Sequence, residues 1–352
     1  MTIALRSIAF ATVAFGLAAG ASAAPVTEQR TVGAFTAIEA GGPYDFKIAA
    51  QGQQALTLNG EAKDLAEIET FLRGSTLVVR ARERSGFHFN FNKRKQPTVT
   101  IGTPALNMVR ANGSGDVSIG QLAGEQFELR SEGAGKVHIA GAVRSLTLNS
   151  SGPADVDATR FKAVSAQLNV SGPGDVRIGT IAGGAITASV SGPGDLVLDS
   201  VAAASTDAHL SGPGDLRVKG SSTALRVQVD GPGDFEGCQL AAQKVEVTLR
   251  GPGDGCIGGA IRELNAESWG PGDLKVLGLD AQLSRVRLHG PGKVVLEGRT
   301  GQLNAEVSGP GDLEGRKLNA ARAEVAVHGP GNAKLLVNAR LTTYDRRGMR
   351  TE

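Results

Sequence analysis

The tetrapeptide Gly-Pro-Gly-Asp recurs at an almost fixed interval through the last two thirds of the chain, and few folds accommodate such a schedule. The residues opening each copy or variant are Gly113, Gly133, Gly152, Gly172, Gly192, Gly212, Gly231, Gly251, Gly270, Gly290, Gly309 and Gly329, always 19 or 20 residues apart. Ten prolines, from Pro153 to Pro330, fill the second position. A period this steady marks a solenoid, in which each repeat stacks on the one before. Gly172-Pro173-Gly174-Asp175 fits a type II turn: Pro presets φ near about −65° and Gly174 supplies the positive φ that follows. Asp175 can then accept from nearby backbone N–H groups. Three early copies differ, with Ser114 and Ala134 replacing Pro and Ala154 replacing the second Gly.

Around each turn the residues alternate. Val170, Leu168 and Ala166 are apolar while Ser171, Asn169 and Gln167 are polar, and Val176 and Ile178 flank Arg177 beyond the turn. Period two predicts strands with one buried face. Each coil reads as strand, corner, strand and a return segment such as Gly179 to Ala185. Some twenty residues are too few for a helix-bearing repeat, so the expectation is a parallel β-helix with coils roughly 4.8 Å apart. Aromatic residues make up 4% of the 352, which suits a narrow lumen with little room for rings.

Residues 1–23 read as a secretory signal: Arg6, an apolar run from Ile8 to Ala19, and Ala21-Ser22-Ala23 as the cleavage site. No Cys follows the apolar run to take a lipid, and no later stretch is apolar enough to span a bilayer as a helix. The chain is therefore expected to be exported, to the periplasm or the cell surface. Cys238 and Cys256 lie two residues out of line between neighbouring coils, near the limit for a bridge. A disulfide and two separate thiols both remain open.

Residues 24–110 are less regular and read as an N-terminal cap with first, irregular coils. Phe35 to Ile48 reads as a degenerate first coil with Gly42-Pro43-Tyr44-Asp45 as its turn. Leu65, Ile68 and Leu72 at helical spacing predict one short helix within Gly60 to Gly74. Arg82 to Gln96 carries Phe87, Phe89 and Phe91 ahead of Lys93-Arg94-Lys95. It reads either as an aromatic-basic finger or as a hairpin whose rings pack on the cap, and alternating aromatics favour the hairpin. Residues 111–340 form the repeat proper, and 341–352 read as a polar tail.

The segments "FTAIEAGGPYDFKIAAQG", "GSTLVVRA" and "VTIGTPALNMVRANGSGDVSI" resemble the bacterial family called putative auto-transporter adhesin, head GIN domain. The resemblance covers most of the chain beyond the signal. It implies a right-handed parallel β-helix in an exported protein, and it brings no catalytic residues.

Formal net charge is +2, from 37 basic and 35 acidic residues, so no strong field selects nucleic acid. The Asp column runs through Asp116, Asp155, Asp175, Asp195, Asp215, Asp234, Asp254, Asp273 and Asp312. Calcium would explain repeated carboxylates, but Lys136, Lys293 and Asn332 interrupt the column and one carboxylate per coil supplies few oxygens. Turn capping explains it better, so neither metal nor cofactor is expected. The five His, including His88, His138 and His328, fall in different coils, with no Ser or Cys partner legible. No singular carboxylate pair for sugar cleavage stands out, and no catalysis is expected.

Ser171, Ser191 and Ser211 precede their turns, and Asn149, Asn169, Ser189 and His209 lie two residues ahead of such positions. They should form a flat, uncharged strip suited to weak multivalent contact with an extended polymer. Trp269 occupies the pre-turn position in a later coil. The chain thus reads as a structural or adhesion-type binding protein of the cell envelope, its partner an envelope polysaccharide or a surface protein. The alternative is a polysaccharide-binding or polysaccharide-cleaving β-helix protein.

Overall fold

A computed structural model describes residues 25–82 and 96–351. The expected signal sequence and the Phe87–Phe91 segment lie outside the described residues. The rest is an all-β solenoid of about twelve coils with roughly 20 residues each, and the described residues contain one short α-helix. Consecutive coils pair in parallel with nearly constant register. Leu148 stands between Leu129 and Leu168, and Ala188 pairs with Leu168 and Ala208.

Between corners the backbone is mostly one long strand, as in Leu196–Leu210. Its buried side chains are Leu196, Leu198, Val201, Ala203, Thr206, Ala208 and Leu210. The alternation slips where two successive residues face outward, at 199–200 and 204–205. Period two cannot change phase on a straight strand, so these steps mark bends, and the first coincides with a register shift. Thr206 is the polar member of this inward row, and its hydroxyl donates to Ser222 Oγ in the next coil at 3.0 Å.

The corners hold by backbone contact. Gly192 N–H donates to Val170 O, Gly194 N–H to Gly172 O at 3.1 Å, and Leu196 N–H to Asp215 O at 2.9 Å. Proline fits the remaining position because it has no N–H to satisfy. Where Pro is missing, Ser114 and Ala134 donate to the carbonyls of Gly42 and Gly113. In most corners with Pro the next Gly takes over that carbonyl, as Gly174 does at Gly152 and Gly214 at Gly192.

The type II assignment of Gly174 does not hold: no glycine of the repeated corners has a left-handed φ. What excludes a side chain is the coil beneath. A Cβ on Gly174 would collide with the carbonyl oxygen of Ala154, and one on Gly194 with that of Gly174.

Three further expectations change. Rings do enter the lumen: Phe127, Phe161 and Phe235 are fully buried. Small neighbours make the room, since Phe161 pairs with Gly141 and a Cβ on Gly237 would meet the Phe235 ring at 2.5 Å. The helix over Gly60 to Gly74 shrinks to Ala62–Leu65. Ile68–Arg73 instead forms a hairpin with Thr76–Ala81, turning through Gly74 at φ 64°. Ile68, Thr70 and Phe71 favour extended backbone, and a glycine at the first turn position suits a tight hairpin. Leu72 is accordingly 38% exposed rather than sharing a buried face with Leu65. Finally, the polar segment after residue 340 is ordered. Arg340–Asp345 and Gly348–Thr351 add antiparallel strands at the end of the rod, with Thr342 buried.

The first coil does form around Gly42-Pro43-Tyr44-Asp45, but it is not the bottom layer. Ala37–Ala40 lies between Thr76–Ala81 and Met108–Ala111, while Asp45–Ala49 pairs with Thr98–Gly102 and with the strand beginning at Val117. Below them the pairing turns antiparallel, and Arg30 closes the layer by donating to Ile68 O at 2.6 Å and Leu65 O at 3.1 Å. Bound backbone carbonyls blunt a sheet edge.

Two outcomes follow from this packing. Gly194→Ala should lose roughly 1–3 kcal/mol, because a backbone carbonyl cannot move aside. Gly124→Ala, with nothing within 4 Å of its added Cβ, should change stability by less than about 1 kcal/mol. Equal effects in denaturant titrations would contradict the stacking account.

Tyr44 supplies the second. It is 1% exposed, its hydroxyl has no hydrogen-bond partner among the described residues, and burial, then Glu67 and Asp64, push its pKa up to about 12. Below pH 10 folded and unfolded chains both keep the phenol proton. Above it the unfolded chain releases the proton first, so stability should fall between pH 10 and about 12. Tyr44→Phe should shrink this alkaline loss without destabilising the protein at neutral pH. An unchanged alkaline slope in denaturation curves would refute that role.

Candidate functional site

The Asp column is a ladder between coils, not a set of caps within turns. Oδ1 of each Asp accepts the backbone N–H of the column residue in the following coil. Asp195 N–H donates to Asp175 at 3.0 Å, Asp215 to Asp195 at 2.9 Å, Asp234 to Asp215 at 2.8 Å and Asp254 to Asp234 at 2.7 Å. Asp45 begins the series by accepting from Asp116, and Asn332 ends it. The substituted coils explain themselves: Lys136 and Lys293 still donate their N–H groups to Asp116 and Asp273, but they offer no carboxylate to the next coil. One carboxylate oxygen per coil is thus already engaged. Among the described residues, no three His, Cys, Asp or Glu converge as a metal site.

The strip predicted from the sequence lies on one outward face. Asn149, Asn169, Ser189 and His209 form one column, continued by Gln228, Thr248, Glu267, Arg287 and Glu306. Ser171, Ser191 and Ser211 form the adjoining column, each donating its N–H to the preceding coil, and Asp230, Arg250, Trp269, His289 and Ser308 extend it. Asn169 Nδ2 donates to Asn149 Oδ1 at 2.9 Å, an amide ladder along the rod axis.

The uncharged part ends after four coils. Asp230 accepts from Gln228 Nε2 at 2.6 Å and Arg250 at 3.3 Å, with His209 Nδ1 3.7 Å away. Trp269 sits three coils beyond Ser211, 51% exposed and stacked on His289 with centroids 3.9 Å apart. His138 lies 3.4 Å from Asp157, whose carboxyl is held below the usual range chiefly by the Thr159 backbone N–H and hydroxyl.

Sequence reading left one feature open and missed another. Cys238 and Cys256 form a disulfide with Cα atoms 5.1 Å apart. A register shift between Gly237 and Ala241 closes the two-residue offset, and no local sequence pattern announces that shift. The other is a shallow groove of about 1000 Å³ bordered by Lys244, Glu246, Arg262, Glu263, Asp280 and Arg285. Its signal in the sequence is faint: Asn265, Arg285 and Asn304 recur at the coil period without an acidic member.

The chain belongs to the family described as putative auto-transporter adhesin, head GIN domain, whose model matches residues 34–198, 178–279 and 259–344. It is similar to a solved putative adhesin from Bacteroides fragilis, with 19% identity over 77% of this chain and 95% of that one, TM-score 0.32. A putative adhesin from Parabacteroides distasonis is similar at 12% identity, covering 86% and 98%, TM-score 0.40. A putative lipid binding protein from the same organism is similar at 14% identity, covering 89% and 97%, TM-score 0.36. No curated protein matches this chain. The family's description as an adhesin is that of a binding or structural protein. No helix among the described residues is long and apolar enough to cross a membrane.

If the ladder is structural, Asp215→Asn should be nearly neutral because an amide oxygen still accepts from Asp234. Asp215→Ala should lose about 0.5–1.5 kcal/mol. Thermal melts of the wild type with chelator and with millimolar calcium should coincide. A large calcium-dependent rise, or equal losses in the two variants, would contradict the assignment.

Proposed function

We propose that this chain is an exported, non-catalytic adhesion-type protein of the cell envelope, which grips an extended polymer along the outward face of the strands preceding its corners. The observation that carries the reading is the alignment of Asn149, Asn169, Ser189 and His209 with Ser171, Ser191 and Ser211 on adjoining columns. Repetition at coil spacing offers the same weak contact many times, and affinity then grows by effective concentration rather than by any single strong site. Small hydroxyl and amide groups are also cheaper to desolvate than ions. The engagement of the Asp carboxylates by backbone N–H groups supports a structural role for that column. The disulfide agrees with an oxidising compartment.

The test is a triple variant, Asn169→Glu, Ser189→Glu and His209→Glu, measured against a purified envelope polysaccharide fraction. Its circular dichroism should match the wild type, since all three side chains face outward, while the stacked like charges should lower its melting temperature modestly. Binding seen with the wild type should fall at least about tenfold as several contacts are lost together. Unchanged binding would remove the strip from consideration, and absence of binding by the wild type would overturn the reading.

A further inference from the structure

We propose that the outward face of residues 261–308 is a site for a glycan chain bearing an anionic group, with Trp269 as the stacking platform and Arg285 as the anion's partner. This rests on the polymer-binding reading above and names the ligand chemistry of a different stretch of the same face.

The charges around the groove are unevenly spent. Each of its three carboxylates has a cation: Glu246 pairs with Arg226 at 2.8 Å, Glu263 with Lys244 at 3.1 Å and Asp280 with Arg299 at 2.5 Å. Nearby guanidinium groups are also matched one coil away, as in Arg287 with Glu267 at 2.5 Å and Arg250 with Asp230 at 3.3 Å. Arg262 and Arg285, both bordering the groove, have no ion pair among the described residues, and of the two Arg285 shares the outward face of Trp269 and His289. The column neighbours of Arg285 are Asn265 and Asn304. A planar guanidinium without a carboxylate, flanked by amides and open to a groove, is suited to bidentate pairing with a carboxylate, sulfate or phosphate oxygen pair.

Trp269 supplies the second, independent observation. It is the chain's single tryptophan and it stands half-exposed on an otherwise polar β-face. His289 stacks on it at an interplanar angle of 25°, and His289 Nδ1 lies 2.6 Å from Ser308 Oγ. The indole is therefore held in orientation before any ligand arrives, which lowers the ordering cost of binding. The apolar C–H face of a pyranose matches the indole face that His289 leaves uncovered, and its hydroxyls match the amides and ion pairs beside it.

Four residues along a strand separate Trp269 from Asn265, and likewise His289 from Arg285, so the backbone positions carrying platform and guanidinium lie about 13 Å apart along the strand direction. An extended oligosaccharide spans that distance. A small anion could touch Arg285 but not the indole.

The full chain is titrated with oligogalacturonate, a sulfated dextran oligomer and a neutral galactan oligomer, using the fluorescence of Trp269 and calorimetry in parallel. The site predicts a saturable fluorescence change with an acidic oligomer, weakened by salt and much smaller with the neutral one. The two acidic probes distinguish carboxylate from sulfate as the preferred group. Arg285→Gln should bind the preferred acidic oligomer about tenfold more weakly, with Arg285→Lys intermediate because charge remains but the fork is lost. Trp269→Ala, followed by calorimetry, should weaken binding of acidic and neutral oligomers alike. No saturable response to either acidic probe, equal affinity for the neutral one, or wild-type affinity in Arg285→Gln would overturn the proposal. Should the Asn169, Ser189 and His209 triple variant lose polysaccharide binding while Arg285→Gln retains it, the polymer-binding reading stands and this inference fails.

Discussion

The rod depends on direct contact between peptide backbones at its corners. A glycine carbonyl of one coil lies where a Cβ of the next would have to sit, as Gly174 O does for Gly194. That closeness lets each corner N–H reach the coil before or after it, leaving proline at the one position with no donor to satisfy. The Asp ladder completes the arrangement by giving the last corner N–H a carboxylate oxygen from the preceding coil. Buried backbone groups must be paired, and here a four-residue motif pairs them repeatedly with Asp as the one side chain taking part.

Constant register follows, and function follows from register. Because the coils are 19 or 20 residues long and pair in line, outward residues become columns instead of scattered points. A column can carry an amide ladder, as at Asn149 and Asn169, or an alternation of charges, as at Glu267 and Arg287. Substitutions on the outer face leave the lumen packing untouched, so one scaffold can present uncharged, charged and aromatic stretches along its length.

Much of this was legible in the sequence because the same physics acts in every repeat. The period, the buried alternation around Leu168 and Val170, and the shared face of Asn149 to His209 all follow from spacing. What was misread involves residues that satisfy two different constraints with the same letter. Gly174 serves equally for a positive φ or for close approach, and only the neighbouring coil distinguishes them. Leu65, Ile68 and Leu72 match a helical stripe, yet Gly74 and the strand after it give Ile68–Arg73 a hairpin partner. The Cys238–Cys256 bridge depends on a register shift, and the isolation of Arg285 becomes visible only once its column neighbours are known to be Asn265 and Asn304.

Amide hydrogen exchange on the intact wild-type chain tests the backbone spine most directly. The N–H groups of Gly194, Asp195, Gly214 and Asp215 belong to corners whose prolines and pre-turn serines are exposed, and open turns exchange quickly. If the corners are the interlocked element, these amides exchange as slowly as those of the buried strand residues Leu198 and Leu210. Exchange at the rate of an unprotected surface turn would contradict the account.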